Sequence, residues 1–389
     1  MKKLLLTFYK IIGLCLAISL FTPVYAQETD IKSRIEKLMK DHDAIGMSVV
    51  VVKDNEIVYY GSFGYNPDYS DPAKRKPIRQ DDVNYIASIS KTFVATAIMQ
   101  LVERGKLSLD DDVNNYLDFS VRNPSYPDVP ITVRMLLTHR SSLNKLKGAI
   151  TFDHFNLLIP EKNRDYKKCY NDYKPGADYD YCNFGYVILG AIIEKASGMR
   201  FDTFIEENIM RPLNLYGSFN IEHLDSSRFV KTYRYKNNKY IEQPLMYMPE
   251  KDLKNYVIGL STPALHPADG MIISSTDLAK FMLMHMNDGK YKDGSRIISK
   301  ESERIMRTPG RGNKTYGLAL SQNNNSLVKG DSLIGMNGGS RGMHTSMYFC
   351  PEKKYGFVVF CNGCNSQNAG GSGLNKPVIK ELYKFFIEQ

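Results

Sequence analysis

The sequence predicts an α+β fold: an antiparallel sheet flanked by helices, assembled from the two ends of the chain around a mostly helical inserted region. Three observations predict it. Strand-like runs rich in Val, Ile and Tyr gather near both ends, at 48–60 and 316–361. The stretch between, from about 82 to 288, carries apolar residues at helical spacing joined by long polar loops. The chain closes on an amphipathic helix over 377–388. Strands at both ends with helices between put sheet neighbours far apart in sequence. A cleft between sheet and insert is then the natural place for a site.

The elements follow in order. Met1-Lys-Lys3 is a basic start, 4–21 is mostly apolar with Lys10 its only charge, and Val24-Tyr-Ala26 supplies small residues for cleavage. Residues 1–26 therefore read as a signal peptide, the mature chain beginning at Gln27 and residing outside the cytoplasm, secreted or periplasmic. An uncleaved anchor is the alternative, since the apolar stretch is near the ~20 residues a span needs. No second apolar run of that length follows, so no stable membrane span is expected after cleavage.

Next come a short helix over 31–39 and two β-rich runs, 48–53 and 56–60, around Asp54-Asn55, a hairpin signal. Helices are expected over 91–104, 133–137, 186–196, 201–209 and 277–286. Strands are expected over 316–320, 333–337, 345–350 and 355–361. The expected organisation is a sheet domain of 27–84 plus 296–389, a helical domain of 85–295, and an active site between them. The tyrosine-rich stretch from Tyr233 to Tyr256 either lines a pocket or covers the insert.

Composition narrows the function. With 43% apolar and 24% charged residues the chain is not of the disordered class. The net charge of +9 falls to +6 without 1–26, leaving 48 basic against 42 acidic side chains. The charges are interspersed, as in Asp110-Asp-Asp112 against Lys74-Arg-Lys76, which fits a solvated surface rather than a nucleic-acid face. Five cysteines follow the signal, Cys169, Cys182, Cys350, Cys361 and Cys364, an odd number that cannot pair completely within one chain. Cys361-Asn-Gly-Cys364 has C-x-x-C spacing but follows a predicted strand instead of opening a helix. Free thiols or a local disulfide rank above redox or zinc chemistry there.

Ser88-Ile-Ser-Lys91 matches S-x-x-K, as do Ser142 with Lys145 and Ser326 with Lys329. Context separates them. Ser88 stands where strand-like 83–86 gives way to the helical pattern Phe93, Ala97, Met99, Leu101, Val102, stopped by Gly105. Three apart on a first helical turn, Ser88 and Lys91 share a face. The helix N-terminus favours an alkoxide and the oxyanion that follows it. A serine hydroxyl attacks poorly until a base takes its proton, and a lysine of ordinary pKa, ~10.4, is a poor base unless buried. An N-cap serine beside a surface lysine would show the same tetrapeptide.

Further segments decide between these readings. Asn84-Tyr-Ile-Ala-Ser-Ile-Ser-Lys-Thr-Phe93 with Glu103-Arg-Gly-Lys-Leu-Ser-Leu-Asp-Asp111 resembles the first motif and following helix of the class C β-lactamase family, which also contains D-Ala-D-Ala peptidases, D-aminopeptidases and esterases. Leu136-Leu-Thr-His-Arg-Ser141 is similar to its L-L-T-H-x-S element. Pro175-Gly176, Tyr181-Cys-Asn183 and Leu189-Gly190 are similar to its P-G … Y-x-N … L-G block. Gly270-Met-Ile-Ile-Ser-Ser-Thr-Asp-Leu-Ala279 resembles a further helix start. The likeness runs in register from about 45 to 362 and implies a β-lactamase/transpeptidase-like fold.

The resemblance also implies roles. Ser88 would attack the acyl carbon, Lys91 and Tyr181 would move its proton to the leaving group, and Asn183 would hold Lys91 and the substrate amide. A Tyr base requires cations to depress its pKa from ~10, which Lys91 would do. His139 is structural. The third motif departs from the pattern: in Gly335-Met-Asn-Gly-Gly-Ser-Arg-Gly342, Met336 stands at the basic or aromatic position and Asn337 at the Thr position. Gly338 and Gly339 fit, and the Gly339 N–H would complete an oxyanion hole with that of Ser88. Met336 supplies no charge for a substrate carboxylate, for which Arg341 or His344 are nearby substitutes.

The expected activity is acyl transfer through a Ser88 acyl-enzyme, with a small-molecule ester, amide or acyl substrate. The product is formed by hydrolysis or by transfer to an alcohol acceptor. No metal or organic cofactor is implied. A D-Ala-D-Ala carboxypeptidase or β-lactamase acting on penicillins is the alternative, and a non-catalytic binding protein a second.

Overall fold

A computed structural model describes residues 29–67, 72–145, 153–244, 250–310, 315–324, 327–365 and 373–388. The expected signal peptide and the Ser326 match lie outside them. Among the described residues no helix is long and apolar enough to cross a membrane.

Helix α1 covers 29–41. Strands β1 (Gly46–Lys53) and β2 (Glu56–Asn66) follow as an antiparallel hairpin. Asp54 and Asn55 both take positive φ, 52° and 66°, matching a primed turn to the twist of the strands. Short β3 (Lys76–Pro77) edges β2. After β4 (Val83–Tyr85) come α2 (Ser90–Glu103), α3 (Val133–Leu137), α4 (Asn183–Ser197) and α5 (Phe201–Ile205), which continues as a π-helical turn, Glu206–Met210. Strand β5 (Gly217–Ser218) precedes a hairpin of β6 (Thr232–Lys236) and β7 (Lys239–Gln243). Then come β8 (Ile272–Ser274), α6 (Ser275–Met286) and α7 (Lys300–Arg307). Strands β9 (Ser321–Asn324), β10 (Ser332–Ser340), β11 (Met343–Cys350) and β12 (Tyr355–Cys361) and helix α8 (Asn375–Phe386) complete the chain.

The main sheet runs β3-β2-β1-β12-β11-β10-β9, every pairing antiparallel. Both chain ends contribute, with β1 beside β12. The period of two divides the valines of β1 between two cores. Val50 and Val52 join Val358 and Phe360 of β12 on the face covered by α6 and the insert. Val49 and Val51 join Phe357 and Val359 on the face covered by α1 and α8. A near-continuous apolar run is what a strand buried on both faces requires.

A second sheet, β4-β8-β5, joins the end of the N-terminal segment to the insert and delivers the chain from β4 directly into the turn that carries Ser88. The expected strand over 316–320 is not formed. Tyr316 makes a single bridge to Ser321 and Ala319 takes φ 58°, so pairing with β10 begins only at Ser321. The hairpin β6–β7 turns through Asn237 and Asn238, both at positive φ. Its Tyr233 is buried, the N–H donating to Asn362 O (2.9 Å) and the hydroxyl to Pro67 O (2.7 Å). Tyr235 and Tyr240 pack on one another, and Tyr256 bonds Glu194. These tyrosines cover and tie the insert.

Candidate active site

Ser88 sits in a 3-10 turn, Ala87–Ile89, that runs straight into α2. Ala87 has φ +49°, a left-handed conformation that costs a non-glycine residue of order 1 kcal/mol or more. Its surroundings hold it there: Ile86 N–H donates to Met271 O (3.0 Å), and Thr345 Oγ1 donates to Ile86 O (2.8 Å). The turn is clamped between β8 and β11, and the half-buried Ser88 is held out at the head of α2.

Two side chains meet at Ser88. The Lys91 Nζ donates to Ser88 Oγ at 3.1 Å, and the Tyr181 hydroxyl donates to the same oxygen at 2.8 Å. Lys91 is fully buried, and its amine also donates to the main-chain carbonyl of Ala268 at 2.7 Å. It lies 5.1 Å from the Tyr181 ring centre and 5.5 Å from that of Tyr186. A buried amine with an oxygen partner on each side is held at a fixed height, and both donors reach the one oxygen that would become an alkoxide. Neither of the other described S-x-x-K residues shares this setting, as Ser142 accepts from Asn123 and Lys145 pairs with Asp180.

Tyr181 is positioned from behind. His139, φ +55°, ends the α3 segment and is almost fully buried, its ring 4.2 Å from that of Tyr181. Its Nδ1 accepts the N–H of Cys182 (3.1 Å) and its Nε2 meets Tyr316 OH (3.1 Å). An Nδ1 that accepts leaves the proton on Nε2, so the imidazole is neutral with a set tautomer. Burial, and after it the Lys91 charge, hold its pKa well below the usual histidine range. Burial likewise pushes the phenols of Tyr186 and Tyr316 far up, so both stay protonated.

The strand wall is different. β9 pairs with β10 only over 332–335, leaving Met336 to Ser340 as an open edge against the Ser88 turn. Gly338 makes the approach possible: a Cβ there would lie 2.3 Å from Ile86 O and from Thr345 Oγ1. At Gly339 a Cβ would meet nothing within 4 Å, so its backbone borders open space. Met336, on the same face as Gly338, is only 6% exposed and belongs to the main core.

Two expected contacts are not made. Asn337 points to the opposite face, its Oδ1 accepting from Ser346 Oγ (2.7 Å), which in turn accepts from Asn375 at the head of α8. Alternation along the strand puts it there once Gly338 faces the turn. Asn183 opens α4 as an exposed residue, and no hydrogen bond joins it to Lys91 among the described residues. The Ala268 carbonyl occupies that role. No residue type could have signalled a main-chain oxygen, although Gly270-Met-Ile-Ile-Ser-Ser marked the segment.

Arg341, at φ +53° in the β10–β11 turn, is half-buried, donates to Pro244 O (3.1 Å), and acts electrostatically on Tyr85 and His266. Asp269 offsets it there, accepting from Tyr85 OH at 2.8 Å. Glu194 of α4 was also missed by sequence reasoning. Buried, it accepts from Phe201 N, Tyr256 OH, Gly259 N and Thr262 Oγ1, tying α4 to the segment that leads to Ala268.

Known proteins share this arrangement of elements. The chain is 29% identical over 316 residues to the putative penicillin-binding protein PbpX of Bacillus subtilis, covering 78% of this chain and 70% of that one. It superposes on the octameric penicillin-binding protein homologue from Pyrococcus abyssi with TM-score 0.72 at 28% identity, covering 92% of this chain and 76% of that one. A D-amino acid amidase from Ochrobactrum anthropi shares the fold, with TM-score 0.66 at 19% identity over 92% of this chain and all of that one. The family model described as Beta-lactamase matches residues 31–372. With most of its length inside that match, the chain belongs to the beta-lactamase family, whose members are serine hydrolases.

Proposed function

We propose that this protein is an exported serine hydrolase or acyltransferase that works through a Ser88 acyl-enzyme, on an ester or amide substrate. One observation carries the reading: Ser88 Oγ lies within hydrogen-bond reach of both the Lys91 amine and the Tyr181 phenol. The deprotonated member of the Lys91–Tyr181 pair takes the single Ser88 proton as the oxygen attacks, and the pair returns it to the departing alcohol or amine. The N–H groups of Ser88 and Gly339 receive the oxyanion. Water or an alcohol then enters along the same line and the proton transfers run in reverse. The catalytic cleft lies between the sheet segments, 27–84 and 296–389, and the helical insert, 85–295.

The preference for a neutral ester or amide follows from β10. Met336 is buried and uncharged, Asn337 is committed to Ser346, and the Arg341 guanidinium in the turn after the strand donates to Pro244 O. The strand itself presents no cationic side chain to a substrate carboxylate. A second reading, a carboxypeptidase or β-lactamase acting on penicillins, is favoured by the half-buried guanidinium of Arg341 and by the penicillin-binding relative.

The test is a turnover panel of activated esters, amino acid amides and penicillins, with and without an added alcohol. Ester or amide turnover exceeding penicillin turnover, with product partitioning to the alcohol, supports the first reading. Penicillin turnover or stable acylation that is lost in Arg341→Ala supports the second. N-terminal sequencing of protein recovered from outside the cytoplasm tests export, with Gln27 the expected first residue.

A further inference from the structure

The C-x-x-C pair is placed quite differently in space than in sequence. Cys361 ends β12, and its partner in the register of β11 is His344. Cys364 lies three residues on, where the chain passes the head of α8. Cys361, Cys364 and Leu374 lie in one buried cluster, and the Cys361 thiol, the His344 ring and the Leu374 backbone N–H act on the Cys364 sulfur. Leu374 is the N-cap of α8, a helix of 12 residues, so the sulfur also meets the positive end of that helix. The chain crosses the imidazole at Gly373, φ +58°, where a Cβ would lie 2.8 Å from the ring, so that the backbone lies directly on His344.

Two side-chain donors and the backbone N–H of a helix terminus act on one sulfur, which is the setting that turns a thiol into a thiolate. The Cys361 hydrogen bond first, then His344, hold the Cys364 thiol below the ordinary cysteine range, while Cys361 is pushed up. Burial pushes Cys169, Cys182 and Cys350 up instead. Both cysteines are buried, and His344 beside them is half-exposed.

We propose that Cys361 and Cys364 are a redox-active dithiol that closes to an intramolecular disulfide by exchange with a small-molecule disulfide. The Cys364 thiolate attacks one sulfur of RS–SR, forming a mixed disulfide and releasing RS⁻, which takes up a proton. Cys361 loses its proton and attacks the Cys364 sulfur, forming the protein disulfide and releasing the second RS⁻, protonated in turn. The dithiol loses two protons and two electrons, and RS–SR becomes two RSH. The oxidising compartment proposed for this chain would supply such an oxidant.

The test uses the mature protein equilibrated with oxidised and reduced glutathione, quenched in acid and mapped by mass spectrometry. The expected result is a Cys361–Cys364 crosslink with Cys169, Cys182 and Cys350 still thiols. Cys361→Ser is expected to stop at a glutathione adduct on Cys364. Ultraviolet thiolate absorbance reads the donor set without needing access to the sulfur. Relative to Cys364→Ser, the wild type should keep one thiolate at pH 7, and His344→Gln should lower that population several-fold. A native protein that keeps both thiols in oxidised glutathione alone, or a thiolate that appears only near the ordinary ~8.5, would overturn the proposal. Neither readout involves Ser88, so the outcome is independent of the acyl-enzyme reading.

Discussion

The two walls of the Ser88 site are built on opposite principles. On the helical side, the Ala268 carbonyl, Lys91, Ser88, Tyr181 and His139 form a continuous chain of hydrogen bonds and ring contacts. On the strand side, Met336 is core, Asn337 faces away, Gly338 fills the approach and Gly339 borders open space. Chemistry that must move a proton between fixed atoms needs the first kind of wall. The second fixes only the backbone and leaves the choice of substrate to what lies beyond it. The site is thus committed in reaction type and loosely committed in partner.

This contrast can be broken from the helical side with large effects. Lys91→Ala should lower kcat for ester turnover by about 10³-fold, the range for a group that transfers the reacting proton, leaving KM little changed. Steady-state kinetics with an activated ester checks this. Tyr181→Phe removes one donor to Ser88 Oγ while keeping the ring against His139, and should cost about 10²-fold. A Tyr181→Phe rate equal to wild type would leave Lys91 as the sole proton carrier.

From the strand side the expected effects are structural or selective. Gly338→Val would drive a branched side chain into Ile86 O and Thr345 Oγ1, with a stability loss of about 2–3 kcal/mol read by denaturant unfolding and a displaced Ser88 turn. Met336→Lys adds the missing cation and should raise acylation by penicillins relative to esters. A stability loss of order 1–3 kcal/mol accompanies the buried charge. No change in the reagent preference would show that β10 does not read substrate charge.

The smallest effect is on pH. His139 is held neutral by burial and by Lys91, and burial lowers His266 and His154 in the same direction. The unfolded chain therefore takes up these protons first. Stability is full above the unfolded value, ~6.5, and is lost as pH falls below it, at up to about 1.4 kcal/mol per group per pH unit. Thermal unfolding between pH 7 and 5 should show this decline, with a shallower slope in His139→Asn.

What the sequence revealed follows the same division. Ser88, Lys91 and Tyr181 were legible because the proposed chemistry runs through side chains, and these stand in motifs with helical or turn context. The hairpin at Asp54-Asn55 and the strand over 355–361 were legible because local turn chemistry and period agree with the fold. Ala268 was not legible, because its contribution is a carbonyl. Asn183 was placed on Lys91 by analogy, and the fold gives that position to the main chain. Residues 316–320 have strand composition, but Ala319 at positive φ breaks the extension and pairing starts one residue later. Helix α7 was missed because its eight residues are mostly charged and only Ile305 and Met306 are apolar. The cysteine pair shows the limit most clearly. In sequence it follows a strand, while in space it meets the N-terminus of a helix that begins eleven residues further along.

The central claim is a covalent intermediate on Ser88, and intact-mass analysis of the mature protein and its Ser88→Ala variant after exposure to activated esters and penicillins tests it most directly. The account predicts an acyl adduct on the wild type, mapped to Ser88 and absent from the variant. Equal labelling of both proteins, or none on either with any reagent, would contradict it.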